Sequence, residues 1–141
     1  MELKINLENA PFKISSKLVS ILITEINKAL TLTDQQDEYT LSFKDESYSA
    51  ELGGYHPVEI HIVKIKGVWK FDYITDFCFV GSGQDAQLTK EIDFDFTSGL
   101  GFQLYAGDDD LKFFSELYKV WESNFISYFE SGVFKVKVTI S

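Results

Sequence analysis

The run Trp69-Lys70-Phe71-Asp72-Tyr73-Ile74-Thr75-Asp76-Phe77-Cys78-Phe79-Val80 decides the fold. Trp69, Phe71, Tyr73, Thr75, Phe77 and Phe79 alternate with Lys70, Asp72, Ile74, Asp76, Cys78 and Val80. That is the period of two that a β-strand imposes on its side chains. The second row begins polar and ends apolar, so one end of this strand is expected to be covered on both sides. Gly81-Ser82-Gly83-Gln84-Asp85 then closes it as a flexible loop. Upstream, Lys66-Gly67 reads as a tight hairpin turn, although it lacks the favoured Asn-Gly chemistry. Before that turn Val58, Ile60 and Ile62 form a strand, with Glu59 and His61 on its other face. Downstream, Ile92, Phe94 and Phe96 alternate with Glu91, Asp93 and Asp95, a strand with an acidic outer row. Gly99 and Gly101 bracket a turn into Phe102, Leu104 and Tyr105, the next strand.

The flanks add two helices and three strands. Residues 2–7 alternate as a short strand, which Ala10-Pro11 ends. Ser15 and Ser16 offer an N-cap to a helix over 16–30, whose Leu18, Leu22, Ile26 and Ala29 share a face. A polar turn spans 34–37, and Tyr39, Leu41 and Phe43 make a strand. Residues 44–51 have no period, and Gly53-Gly54-Tyr55-His56-Pro57 is the strongest breaker in the chain. Asp108-Asp109-Asp110 reads as a helix N-terminus, where carboxylates complement the dipole. Leu111, Phe114, Leu117, Tyr118, Trp121, Phe125 and Phe129 follow at helical spacing up to a C-cap at Gly132. A closing strand covers 133–140. The predicted order is β-α-β-β-β-β-β-α-β: an α+β fold, a mostly antiparallel sheet with two packed helices. The 141 residues suit a single globular domain over 1–141, and no stretch has linker composition.

Thirteen Phe, seven Tyr and two Trp exclude a disordered chain. One cysteine, Cys78, excludes a disulfide framework, and inside an aromatic strand it reads as inert core. The first residues lack an apolar signal region and no stretch reaches a membrane-spanning length, so a cytoplasmic protein without membrane contact is expected. The net charge is −9 and every basic residue is Lys. Without the planar arginine fork, and with this sign of charge, direct nucleic-acid binding is not expected. Residues 32–60 and 81–110 each carry −6 while the remaining segments are each +1. If those two segments meet, they form an acidic face able to steer a basic partner. Solvation of loops and of an outer sheet face explains the same charge.

Chemical motifs are sparse. His56 and His61 are the only histidines, and Glu59 shares a strand face with His61. Two histidines and a carboxylate can hold a metal, but no metal-ligating spacing occurs, so no metal or cofactor is assigned. Ser47 and Ser49 lie near His56, yet no nucleophile elbow is present, and no catalytic residue is assigned. Asp72, Asp76, Glu91, Asp93 and Asp95 can gather on one face, where carboxylates bind cations or simply solvate the strand. The segment Ser47-Tyr48-Ser49-Ala50-Glu51-Leu52-Gly53-Gly54-Tyr55-His56 is the best binding candidate, because Tyr, Ser and Gly make adaptable contact surfaces on loops.

From Lys44 to Ile60 the chain resembles the uncharacterised bacterial domain-of-unknown-function family 2787, through Ser47-Tyr48-Ser49-Ala50-Glu51 and Gly53-Gly54-Tyr55-His56-Pro57-Val58-Glu59-Ile60. Tyr73-Ile74-Thr75-Asp76-Phe77, Lys90-Glu91-Ile92-Asp93-Phe94 and Asn124-Phe125-Ile126-Ser127-Tyr128 extend the likeness over nearly the whole chain. The resemblance implies a gamma-proteobacterial protein of a kind often carried with mobile elements, and it carries over no activity or catalytic residue. It directs attention to Tyr48, Gly53, Gly54, Tyr55, His56, Glu59 and Asp76 as candidate binding residues. The leading expectation is a non-catalytic accessory or protein-interaction domain, open to homodimer formation. An immunity-type or nucleic-acid-mimic binder of a basic partner is one alternative. A small enzyme or metal protein around His56, His61, Glu59 and Asp76 is the other.

Overall fold

The computed structural model describes residues 3–29 and 36–140. In chain order the elements are β1 (Ile5–Asn6), α1 (Ser16–Ala29), β2 (Glu38–Lys44), β3 (Val58–Ile65), β4 (Val68–Val80), β5 (Gln87–Asp95), β6 (Leu100–Gln103), β7 (Gly107–Asp110), α2 (Ser115–Glu130) and β8 (Lys135–Ile140). They form one sheet in the order β7-β6-β5-β4-β3-β2-β8, antiparallel at every step, to which β1 adds a short parallel pairing with Trp69 and Lys70. The α+β class and the mostly antiparallel sheet with two helices are as the pattern predicts. The residues expected at Glu2, at the end of the first helix and at positions 34 and 35 of the polar turn lie outside the described residues.

One sheet face is apolar and both helices cover it. Leu18, Leu22 and Ile26 of α1 and Tyr118, Trp121 and Phe125 of α2 are buried there with Leu41, Phe43, Ile60, Ile62, Phe71, Ile74 and Phe94 of the strands. Each such side chain contributes about 1.5–3 kcal/mol by leaving water. Ser15 Oγ accepts the Lys17 N–H at 3.0 Å, which caps α1 as its sequence suggests. The Ser15 N–H donates to Glu122 and Lys17 pairs with Glu130, so the start of α1 is tied to α2. After α2 the Gly132 N–H donates to the Phe129 carbonyl, with Gly132 at φ +78, the left-handed C-cap.

Three local readings change. Asp108, Asp109 and Asp110 do not open a helix: they form β7, which adds one strand to the predicted order. Gly107, at φ +86, lets the chain fold back on β6, and hairpin bonding there outweighs the pull of a helix dipole. The helix begins only at Ser115, after a 3-10 turn over Leu111–Phe114. Three carboxylates on an exposed edge strand discourage further strand pairing. Leu104 and Tyr105 fall in the turn beyond β6 rather than in the strand. The loop over 81–85 contains a 3-10 turn at Gly83–Asp85.

The pairing register of β4 with its neighbours is broken twice. His61 faces Tyr73 and Ile62 faces Phe71, so Asp72 is an extra residue. Asp76 faces Ile92 and Phe77 faces Lys90, so Glu91 is an extra residue on β5. The first bulge moves Tyr73 and Thr75 off the face of Phe71 and puts Ile74 there instead. The second frees Glu91 from the ladder, and bulges of this kind re-aim side chains.

Candidate functional site

The segment between β2 and β3 is a tight loop built around glycine. Ser49 and Gly53 exchange two backbone hydrogen bonds, and Gly53 sits at φ +71. Gly54 is at φ +133, where a Cβ would come within 2.9 Å of Asp45 Oδ2 and 3.0 Å of Tyr48 Cα. Only glycine fits both the angle and the space. Asp45 holds the loop by accepting the Ser47 hydroxyl, the Ser47 N–H and the Tyr55 N–H. The Ser47 hydroxyl first, and those N–H groups after it, keep the Asp45 carboxyl below its ordinary value. Tyr48 accepts the Phe79 N–H at 3.0 Å and stacks on Phe79, with the His56 ring 5.4 Å away on a tilted approach. The loop is thereby anchored to the far end of β4.

This anchoring delivers His56 to two carboxylates. His56 Nδ1 lies 3.1 Å from Asp76 Oδ1 and 2.6 Å from Glu91 Oε2. Both acceptors meet one nitrogen, so Nδ1 carries the proton. Asp76 Oδ2 accepts the Trp121 indole N–H at 3.0 Å. The Asp76 side chain is 12% exposed, against 37% for His56 and 35% for Glu91. The hydrogen bond to Asp76 is the main influence raising the His56 pKa; burial opposes it and the charges of Asp76 and Glu91 reinforce it. Cys78 is half-buried, and burial pushes its thiol up, in keeping with an inert cysteine.

The cluster forms the polar end of a cleft of about 420 Å³ between the loop, the sheet and α2. Trp121, Phe125, Tyr128, Tyr55 and Phe134 supply aromatic surface, and Asn124 is a further polar group. Trp121 and Phe125 stack at 5.1 Å, and Tyr55 meets Tyr128 across the cleft at 4.6 Å. The volume is that of ordinary small-ligand and side-chain pockets.

The candidate binding residues divide accordingly. Gly54, Tyr55, His56 and Asp76 line the cleft, Tyr48 supports His56 from behind, and Gly53 shapes the turn. Glu59 lies elsewhere: it accepts the Tyr73 hydroxyl on the sheet face away from the helices. His61 is there too, between Asp72 at 2.7 Å and Glu38 at 3.2 Å, so the two histidines never share a site. Ser47 and Ser49 bond to Asp45 and to the Leu52 N–H, not to His56. The five carboxylates also split, with Asp76 and Glu91 at the cleft and Asp93 on the outer face, where Thr75 donates to it at 2.6 Å. Burial is the main influence raising the Asp93 pKa. The two acidic segments do meet, through His56 and Glu91 at the cleft and through the row Glu59–Thr75–Asp93 across the sheet. The sequence pattern groups Glu91 with Asp76 among the strand carboxylates but not with His56, and it does not bring Trp121, Asn124 or Tyr128 to the site. The likeness of residues 90–94 and 124–128 to the family was the available signal.

Among the described residues, no helix is long and apolar enough to cross a membrane. Two solved structures resemble the chain along nearly its full length. One is a hypothetical protein, VC0508, from the VSP-II pathogenicity island of Vibrio cholerae, 32% identical, with a TM-score of 0.83 over 96% of this chain and 99% of that one. The other is a conserved hypothetical protein, VC1805, from pathogenicity island VPI-2 of Vibrio cholerae O1 biovar eltor, 33% identical, with a TM-score of 0.76 over 92% of this chain and 97% of that one. The latter is described as sharing structural homology with the human P32 protein. No curated protein matches the chain. The model of the family described as protein of unknown function (DUF2787) matches residues 16–139, and the chain belongs to that family.

Proposed function

We propose that the protein is a non-catalytic interaction domain that takes one apolar side chain of a basic protein partner into the cleft beneath the Gly53-Gly54-Tyr55-His56-Pro57 loop. The observation that carries this reading is the cleft itself: an aromatic wall on α2 facing a loop that glycine geometry and Asp45 hold in place. An aromatic pocket with a polar rim is the form that interaction hot spots take. Charge selects the partner. The chain carries −9, and both segments of −6 contribute a residue to the cleft, His56 from one and Glu91 from the other. Such a field speeds the approach of a basic surface and repels an acidic one.

The test is selection from a random peptide library displayed against the full chain. Selected peptides are expected to carry an aromatic or aliphatic anchor beside Lys or Arg. Their binding should weaken as salt rises, because screening removes the attraction between exposed charges. It should also weaken at least tenfold in Tyr55→Ala and in Tyr128→Ala, each a loss of about 1.4 kcal/mol or more. Selection of acidic peptides, or binding indifferent to both substitutions, would overturn the reading.

A further inference from the structure

The polar end of the cleft has a chemistry that peptide binding does not use. His56 Nδ1, Asp76 and Glu91 each offer one donor atom, and the three atoms lie within 4.8 Å of one another. We propose that these three side chains bind a divalent first-row transition-metal ion, held at the polar end of the cleft with coordination positions left open. The inference concerns the same cleft as the interaction reading but does not depend on it.

Geometry supports it first. Metal–nitrogen and metal–oxygen bonds of about 2.0–2.2 Å set neighbouring donors roughly 3–3.5 Å apart. The present separations from Nδ1 are 3.1 Å to Asp76 and 2.6 Å to Glu91. Asp76 is thus already at ligand spacing from Nδ1, whereas Glu91 must draw back from it. Glu91 is the member able to do so, since its side chain is 35% exposed and its residue stands out of the strand ladder at a bulge.

The surroundings support it second. Metal-binding carboxylates and histidines are oriented by outer partners, and these partners matter to affinity nearly as much as the ligands do. Asp76 has such a partner: the Trp121 indole N–H fixes Oδ2 and leaves Oδ1 beside His56. His56 is steadied by the Tyr48 ring, which the Phe79 N–H holds in turn. Each ligand comes from a different part of the scaffold, the end of the loop, β4 and β5. The ion would occupy the place that the Nδ1 proton now holds between the two carboxylates. Two carboxylates and a neutral imidazole balance a doubly charged cation in full.

The donor set narrows the ion. Magnesium and calcium prefer oxygen alone, whereas an imidazole with carboxylates suits zinc, cobalt, nickel, manganese or ferrous iron. Three protein ligands leave room for a fourth or further ligand, the arrangement of an open metal site. The cleft that adjoins these ligands is lined by Trp121, Phe125 and Tyr128.

The test titrates chelator-treated full-length protein with zinc by calorimetry, and with cobalt by its visible absorption. We expect one ion per chain. Glu91→Gln and His56→Gln should each lower affinity by tenfold or more. Trp121→Phe should lower it about tenfold to a hundredfold, as outer-shell substitutions do. Glu59→Gln, which removes a carboxylate from the opposite sheet face, should leave it unchanged. Denaturant midpoints of every variant confirm folding, and Glu91 is exposed enough that its substitution leaves the core untouched. Absence of stoichiometric binding would overturn the proposal, as would binding that Glu91→Gln and His56→Gln leave intact. Peptide selection against the metal-free chain reports separately on the interaction reading, so either idea can fail while the other stands.

Discussion

Trp121→Phe isolates the bond on which the site's geometry depends. Trp121 is 7% exposed, and its indole N–H donates to Asp76 Oδ2 at 3.0 Å. Phenylalanine preserves a ring against Phe125, where the present stack is 5.1 Å at 14°. It removes the donor and leaves a buried carboxylate oxygen unpaired. A hydrogen bond to a charged group contributes about 1.5–3 kcal/mol. The lost part of the indole adds about 1 kcal/mol in contacts and cavity. We expect Trp121→Phe to destabilise the fold by about 2–4 kcal/mol, a large fraction of the roughly 5–15 kcal/mol of a typical domain. Urea denaturation measures it as a lower midpoint with an unchanged slope. The specific claim is tested by a double-mutant cycle with Asp76→Ala. If the bond is the cause, the two substitutions couple by about 1.5–3 kcal/mol, since each alone already breaks it. Additivity to within about 0.5 kcal/mol would show two independent packing losses and refute the reasoning.

Two further predictions concern the loop. The His56 pKa is raised in the folded state, chiefly by its hydrogen bond to Asp76. A group raised on folding contributes stability that is complete below its unfolded value, about 6.5, and is lost as pH climbs through the folded value. Denaturation midpoints should therefore fall as pH rises above about 6.5, and His56→Gln should remove that part of the slope; an unchanged slope in the variant would mean that His56 is not the titrating group. Gly54→Ala forces a side chain into a left-handed position against the Tyr48 backbone and Asp45. Such strain costs about 1–3 kcal/mol. The loop should become susceptible to limited proteolysis and the cleft should lose peptide binding, whereas retention of both properties would mean the loop is not held as described.

The layout was legible because periodicity is a local property. Leu18, Leu22 and Ile26 announce α1, and the rows of β2, β3 and β5 declare their inner faces without reference to neighbours. The errors came where pairing overrides pattern. Nothing in Asp108-Asp109-Asp110 distinguishes an edge strand from a helix start, and the outcome depends on Gly107 turning the chain onto β6. The β4 bulge is equally silent, since an uninterrupted aromatic alternation continues through Asp72 while the paired register does not. The site was half legible for the same reason. His56 and the double glycine stand out as a composition anomaly, but Glu91 joins them only through a bulge and Trp121 only through helix docking. Glu59 stays with His61 on the outer face, as strand alternation requires, and it is His56 that leaves the strand for the cleft.

The energetics of the triad bear on why it is there. A buried ion pair recovers little more than the cost of stripping its charges of water, and apolar residues of equal volume often stabilise a fold as well or better. Asp76 is 12% exposed and needs both His56 and Trp121 to be tolerated. The rest of the covered face is built from Leu, Ile and Phe with ring-on-ring contacts, so the fold has a cheaper way to fill this position. The other acidic cluster differs in kind: its carboxylates lie on the outer face and accept bonds from Tyr73, Thr75 and Thr97, an arrangement that solvates a sheet. The triad instead opens into a cleft walled by aromatic rings. Substitution of His56, Asp76 and Glu91 together by apolar residues in a Trp121→Phe background, where no buried indole N–H is left unpaired, should therefore leave the fold as stable as the native chain or more so, while abolishing binding at the cleft. Severe destabilisation of that variant would reassign the cluster to structure.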